Sequence, residues 1–502
     1  MTPSKNTAIP DAGLIPRPRS YKARSGAFKP TPETSLSADP AFAAEAAWAL
    51  VSLAYAFATT FVMAPEGTGD IQVSKVSGMG PEEYRLEIRS GSVKAEASKP
   101  AGAFYALQTL RSMAMIYGDR APACSIVDGP RFSHRGYMLD TVRNYFDPRF
   151  IKRLIDLAAL HKLNSFHWHL TDDQGWRLPI PDHPELTEIG ARKIDKRYMP
   201  QVERTLFYTE EQIRDIVAYA QERHITVIPE IEMPGHVLAL LSAHPELSCV
   251  GGQFQPEDRF GIFEDVLCAG NDAVFDLLGD ILDGCAALFP GSVLHFGGDE
   301  VPTARWENCP RCLERMHKEG LPDATALQGW FTSRVTEMLA ARGKRGAAWD
   351  EVIKADVPKD VIVMAWRSAE AGLEAARMGH SVIMCPGSHA CYLDQKNFDT
   401  PDEPGTAGVS TVKDSYEFEP LEGFDEETAS RVLGIQGNLW TEIIYFGRQV
   451  EYMAFPRLSA IAETAWTPAD RKSFIDFAAR LGYWTRVMDR YDVGRYRGPL
   501  EA

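Results

Sequence analysis

The stretch 295–302 reads HFGGDEVP. Val293, Leu294 and Phe296 supply an apolar lead-in, two glycines follow, and then come two adjacent carboxylates, Asp299 and Glu300. That is the pattern of a buried strand ending in a charged tip. Neighbouring residues on a strand face opposite sides. At a frayed end, beside glycines that let a ligand approach the backbone, both carboxylates could still line one pocket. Two carboxylates forced together split their proton affinities, so that one stays ionised and the other holds a proton near neutral pH. Acid catalysis of bond cleavage needs that division. A bare Asp-Glu pair is more often a solvated loop, so the surrounding chain must decide.

Outward from this stretch, short apolar segments alternate with amphipathic ones from Asp128-Gly129-Pro130 onward. Strands are expected over 137–140, 163–169, 225–231, 292–296, 346–350, 361–366, 381–385 and 432–438. Helices are expected over 149–161, 209–224, 273–288, 327–342 and 369–378, and Thr209 and Gln212 are spaced as a capping box. Eight strand candidates separated by helices or long inserts favour an α/β chain closed into a (β/α)8 TIM barrel over an open doubly wound sheet. No GxGxxG or P-loop pattern follows a strand, which weakens a nucleotide-binding reading. Before the barrel, Tyr84, Leu86 and Ile88 alternate with charged residues as in a half-exposed strand, and Ser90-Gly91-Ser92 turns it into 93–97. Residues 102–115 carry apolar side chains at helical spacing. The expected organisation is a disordered or extended lead over 1–19, a small α+β domain over 20–127 and the barrel over 128–502.

Composition narrows the partners. The 502 residues carry a net charge of −16, which argues against nucleic acid and anionic membrane. The most apolar run, 41–63, is broken by Glu45 and reads as a helix of small residues. The N-terminus lacks a basic start followed by an apolar core, so no secretory signal is expected. A bacterial cytoplasm or periplasm is the expected compartment. Eight cysteines are too few for a disulfide scaffold. Cys309 and Cys312 form a CPRC unit with no second CxxC or nearby His, so no metal is expected there. Cys249 and Cys268 flank a Gly-rich insert and could bridge in an oxidising compartment.

In such a barrel, chemistry gathers at the C-terminal strand ends. Strand one is flanked by Arg135 and ends at Asp140. Strand two runs into His167, His169, Asp172, Asp173 and Trp176. Strand three runs into Glu230, Glu232 and His236. Strand four carries Asp299 and Glu300, and strand five ends in Trp349, Asp350 and Glu351. Strands six, seven and eight lead to Trp366 and Arg367, to Tyr392 and Asp394, and to Trp440 and Glu442. Indole faces stack on the C–H faces of a pyranose while carboxylates and Arg take its hydroxyls, so a sugar pocket explains the set with one ligand. A rival reading takes His167-x-His169 as a divalent-metal site completed by His236 and Asp299. Another is a non-catalytic sugar-binding barrel.

The segments RGYMLDTVRNYF (135–146), FHWHLTDDQGWR (166–177), PEIEMPGH (229–236), HFGGDEVP (295–302), AAWDE (347–351), YLDQ (392–395) and GNLWTE (437–442) together resemble the β-N-acetylhexosaminidases of glycoside hydrolase family 20. The region 20–125, with GAFYALQTL (102–110) its clearest segment, resembles the small domain preceding the barrel in that family. The resemblance implies a retaining, substrate-assisted hydrolase acting on terminal β-linked GlcNAc or GalNAc. By that resemblance Glu300 is the general acid and base, Asp299 orients the substrate acetamido group, and Tyr392 hydrogen-bonds its oxygen. Trp349, Trp366 and Trp440 wall the sugar, and Arg135, Asp394 and Glu442 hold its hydroxyls. His236 supports Glu300 with Asp172, although Asp173 could fill that place. No cofactor or metal is implied. The implied partner is an oligosaccharide or glycoconjugate, and the barrel helices leave room for a homodimer.

Overall fold

The computed structural model describes residues 10–195, 197, 201–387 and 390–501. Eight parallel strands close a barrel in sequence order: His134–Asp140, Ser165–His169, Thr226–Glu230, Val293–His295, Arg345–Trp349, Ile362–Ala365, Ser381–Met384 and Val432–Leu439. They are numbered one to eight below. Each overlaps an expected strand segment. Strands one and two are buried at every position, because a barrel strand has helices on one face and the packed interior on the other.

Side-chain caps start many of the outer helices. Asp147 caps Pro148–Leu160, Thr209 and Gln212 form a reciprocal capping box on Glu210–Gln221, Asn271 caps Asp272–Leu288, and Asp323 caps Ala324–Ala341. Between strands five and six the connection is only a 3-10 turn, Asp350–Lys354. That short link keeps Asp350 and Glu351 at the strand end.

The preceding domain is a seven-stranded mixed sheet. Strand Tyr84–Arg89 buries every second side chain and turns into Ser92–Ala97, as its alternation predicts. Helix Pro100–Tyr117 covers the sheet, and helix Ala43–Phe57, the apolar run of the sequence, packs against that helix, with Trp48 4.6 Å from Phe104 between ring centroids and Ala46, Ala49 and Leu53 buried. Together with the 3-10 turn before it, the run Pro40–Phe57 is long and apolar enough to cross a membrane by length and composition alone.

Residues 10–19, expected within an extended lead, are packed instead. Leu14 and Ile15 are buried, the Leu14 carbonyl accepts from Arg480, and the Arg17 backbone N–H donates to Glu463. The rest of that lead, 1–9, lies outside the described residues.

Candidate active site

After strand four the backbone leaves extended geometry. Gly297, Gly298 and Glu300 all have positive φ, at 67°, 84° and 48°. A Cβ on Gly297 would stand 1.7 Å from Glu232 Oε2, so only glycine fits there. The turn cancels strand alternation, and Asp299 and Glu300 both face one cavity of about 290 Å³. Trp349, Trp366, Tyr392, Trp440, Asp394, Glu442, His236 and Arg143 line the same cavity.

Each wall has a local cause. Trp349 ends strand five with its ring centroid 4.7 Å from His295 and 5.9 Å from Trp440. The segment around Tyr392 is tied to strand eight: Asn438 N–H donates to the Cys391 carbonyl and Leu393 N–H to the Asn438 carbonyl, both at 2.7 Å. Tyr392 then stacks on Trp366 at 6.0 Å and 12°. The Trp366 indole N–H donates to Glu351 Oε2 at 2.8 Å. Thr406 donates to Asp394 Oδ2 at 2.7 Å.

Electrostatics divide the carboxyls. Burial pushes Asp299 up to about 6 despite the nearby His236, with Glu230 and Glu300 adding repulsion. Burial likewise raises Asp394 to about 6, Glu442 to about 7 and Glu351 to about 8. His236 is held well above its usual range: burial opposes its charge, and Asp172, Asp173 and Glu300 outweigh burial. Its Nε2 lies 3.5 Å from Glu300 Oε2 and 3.7 Å from Asp299 Oδ2.

One expected placement is corrected. Arg135 does not reach the cavity. It stands at the opposite end of strand one, fully buried, with both terminal nitrogens on Glu82 of the preceding domain at 2.6 and 3.0 Å. Arg143, three residues past Asp140, is the arginine at the cavity: it donates to Gln174, pairs with Asp172 Oδ2 at 2.7 Å and lies 4.0 Å from Glu442. For His236 the sequence leaves Asp172 and Asp173 open. Its Nδ1 bonds Asp173 Oδ2 at 2.9 Å and is 3.5 Å from Asp172, whose carboxylate is taken by Arg143 and His169.

His167 and His169 are sealed beneath the cavity rather than lining it. His169 bridges Glu230 and Asp172, and His167 sits between Glu230 and Gln436. The metal-hydrolase arrangement of this pair with His236 and Asp299 is therefore not formed. Gln395, the last residue of the YLDQ segment, also lines the cavity, and sequence reading missed Thr406 and Ala407, which enter from the insert after strand seven. Nothing in that insert's composition marks them. All eight cysteines are free thiols, so Cys249 and Cys268 are not bridged.

Comparison with known proteins matches the family model "Glycosyl hydrolase family 20, catalytic domain" over 132–469 and "Glycosyl hydrolase family 20, domain 2" over 11–129. A β-hexosaminidase of Porphyromonas gingivalis is 40% identical over 84% of this chain, which spans 55% of that protein. A β-hexosaminidase of Vibrio furnissii is 37% identical over 89% of the chain and 76% of its own length. Among solved structures, an exo β-N-acetylglucosaminidase of Vibrio harveyi in complex with N-acetylglucosamine superposes with a TM-score of 0.89 at 33% identity, covering 100% of this chain and 81% of the other. The chain thus belongs to glycosyl hydrolase family 20, a glycoside hydrolase related to the β-hexosaminidases.

Proposed function

We propose that the cavity holds the terminal, non-reducing N-acetylhexosamine of a β-linked oligosaccharide or glycoconjugate and cleaves its glycosidic bond with retention of configuration. The nucleophile is the substrate's own 2-acetamido oxygen. It attacks the anomeric carbon as the bond to the leaving oxygen breaks, and Glu300 donates its proton to that oxygen. The product of this step is an oxazolinium ion. Water then adds to its anomeric carbon, Glu300 takes the water's proton, and the acetamido group is restored.

Asp299, ionised, accepts from the acetamido N–H and offsets the positive charge that develops there. Tyr392 donates to the attacking oxygen and holds it in line. Trp349, Trp366 and Trp440 enclose the ring and exclude water. Arg143, Asp394 and Glu442 bind the hydroxyls. His236, backed by Asp173, positions the Asp299–Glu300 pair by its charge. The observation that carries this reading is that adjacent Asp299 and Glu300 face one small cavity boxed by three tryptophans and Tyr392.

Turnover of an aryl β-N-acetylglucosaminide by wild type and Glu300→Gln tests the role of the pair. The variant is expected to lose about 10²–10⁴-fold in kcat. The matching aryl β-glucoside, which lacks the attacking oxygen, is expected to be turned over on the order of 10³-fold more slowly by wild type. Comparable rates on the two sugars would overturn the substrate-assisted route. Near-normal turnover by Glu300→Gln would overturn the acid–base assignment.

A further inference from the structure

Four of the free thiols stand together outside the cavity. Cys249 and Cys268 come from the loop after strand three, and Cys309 and Cys312 from the segment after strand four. Their sulfurs all lie within 4.8 Å of one another. The distances are 3.8 Å for Cys249–Cys312, 3.7 Å for Cys268–Cys309 and 3.6 Å for Cys268–Cys312. A disulfide needs a sulfur separation of about 2.05 Å. Four thiolates around a zinc ion at ~2.3 Å form a tetrahedron with edges of ~3.8 Å.

The surroundings suit thiolates. Cys309 is the N-cap of helix Pro310–Glu319 and Cys312 sits in its first turn, where free backbone N–H groups and the helix dipole favour negative charge. The backbone N–H of Gly270 favours the charged form of Cys268 and Cys312. The Arg311 guanidinium lies against Cys268, Cys309 and Cys249 and is anchored by the Ser248 carbonyl at 2.7 Å. These donors offset the net charge of −2 that four thiolates and a divalent cation carry. Cys268, Cys309 and Cys312 are buried and Cys249 is half-buried, which leaves no open coordination position for catalysis.

We propose that Cys249, Cys268, Cys309 and Cys312 form a structural tetrathiolate zinc site that clips the loop after strand three to the loop after strand four. Binding releases the four thiol protons. The clip closes the ring of residues 250–267 and fixes it against the segment that follows Asp299 and Glu300. That ring reaches back to the cavity: the Glu257 N–H donates to the Asp173 carbonyl at 2.8 Å, and Gln174 Nε2 donates to the Arg259 carbonyl at 2.9 Å. The metal therefore holds in place a loop that buttresses Asp173, the partner of His236.

Full-length protein produced in zinc-containing medium and purified without chelator tests this. Elemental analysis is expected to find one zinc per chain, released by a mercurial that titrates thiols. Cys309→Ser/Cys312→Ser is expected to contain none, while Cys124→Ser, a buried cysteine of the other domain, keeps it. Proteolysis within 250–266 is expected to rise about tenfold on metal loss, as a locally opened segment becomes accessible. If the double variant does not fold, wild type stripped by the mercurial is compared instead. Less than half a zinc per chain, iron in its place, two disulfides among the four residues, or zinc retained by the folded double variant would each overturn the proposal.

Discussion

The role proposed for Asp299 runs against the stability of the fold around it. Its side chain is 14% exposed and burial raises it to about 6, above the ordinary carboxyl value of 3.8. The folded state therefore prefers the protonated form. Stability is full below pH ~4 and falls as pH rises through 6, where the fold must hold an ionised carboxylate that water solvates better. A shift of that size costs at most about 3 kcal/mol. Asp299→Asn removes the cost, so its melting temperature is expected to exceed wild type at pH 7.5 and to converge with it near pH 4. Equal melting temperatures at pH 7.5 would mean that the carboxylate is not strained. The proposed mechanism uses the ionised form, so it predicts an acid limb in kcat/KM near pH 6. The two arginines show what sequence hides at this scale. Both lie within the segment 135–146, and type alone does not separate them. Direction does: Arg135 precedes Asp140 by five residues, about 17 Å along a strand, and so belongs to the N-terminal end of the barrel. Arg143 follows it and meets Asp172 and Glu442. Arg143→Gln is expected to lower kcat/KM by about 10–100-fold, the worth of a charge-assisted hydrogen bond plus the charge left unpaired on Asp172.

At the scale of elements, the periodicity of the chain carried the eight strands and most helices because each is a local signal. Apolar runs bounded by caps and turns mark parallel strands wherever both faces are buried. The connections were illegible for the converse reason. The insert after strand seven contributes Thr406 to the cavity through a bond to Asp394, and that contact depends on how a long loop folds back. The thiol cluster was missed in the same way, since CPRC acquires its second pair from a loop about 40 residues upstream in the chain. Arg135 shows what an element end can be for. Its guanidinium is shared among Glu82, Tyr105 Oη and two carbonyls, with its charge 5.1 Å above the Trp466 ring. Arg135→Met is expected to destabilise the protein by about 2–4 kcal/mol through the carboxylate left without its partner. The folded enzyme should keep its KM. A raised KM with unchanged melting temperature would return this residue to the substrate.

The whole molecule is joined through the floor of the barrel. Lys162, nearly buried, donates to Asp128 at 2.9 Å, the last residue of the sheet strand Ala121–Asp128 of the preceding domain, and to Tyr84 of the same sheet at 2.8 Å, and stands 4.5 Å from the Trp466 ring. The Trp466 indole N–H donates to the same Asp128 at 2.9 Å. Arg135 makes the parallel connection to Glu82 beside it. Among the described residues, these two barrel cations thus find their counter-charges on the small domain. Removing residues 1–128 would strip both cations of these counter-charges and of their bonds to Tyr84 and Tyr105, and would open them to water, against a total stability of only about 5–15 kcal/mol for a typical protein. It would also uncover the apolar face under helix Pro100–Tyr117. The two domains are therefore expected to unfold as one unit. Calorimetry of the full chain should give a single transition. A fragment beginning at residue 130 should be insoluble even though it carries every residue that lines the cavity. Two resolved transitions, or a soluble and active fragment, would show that the small domain is an attachment rather than part of the fold.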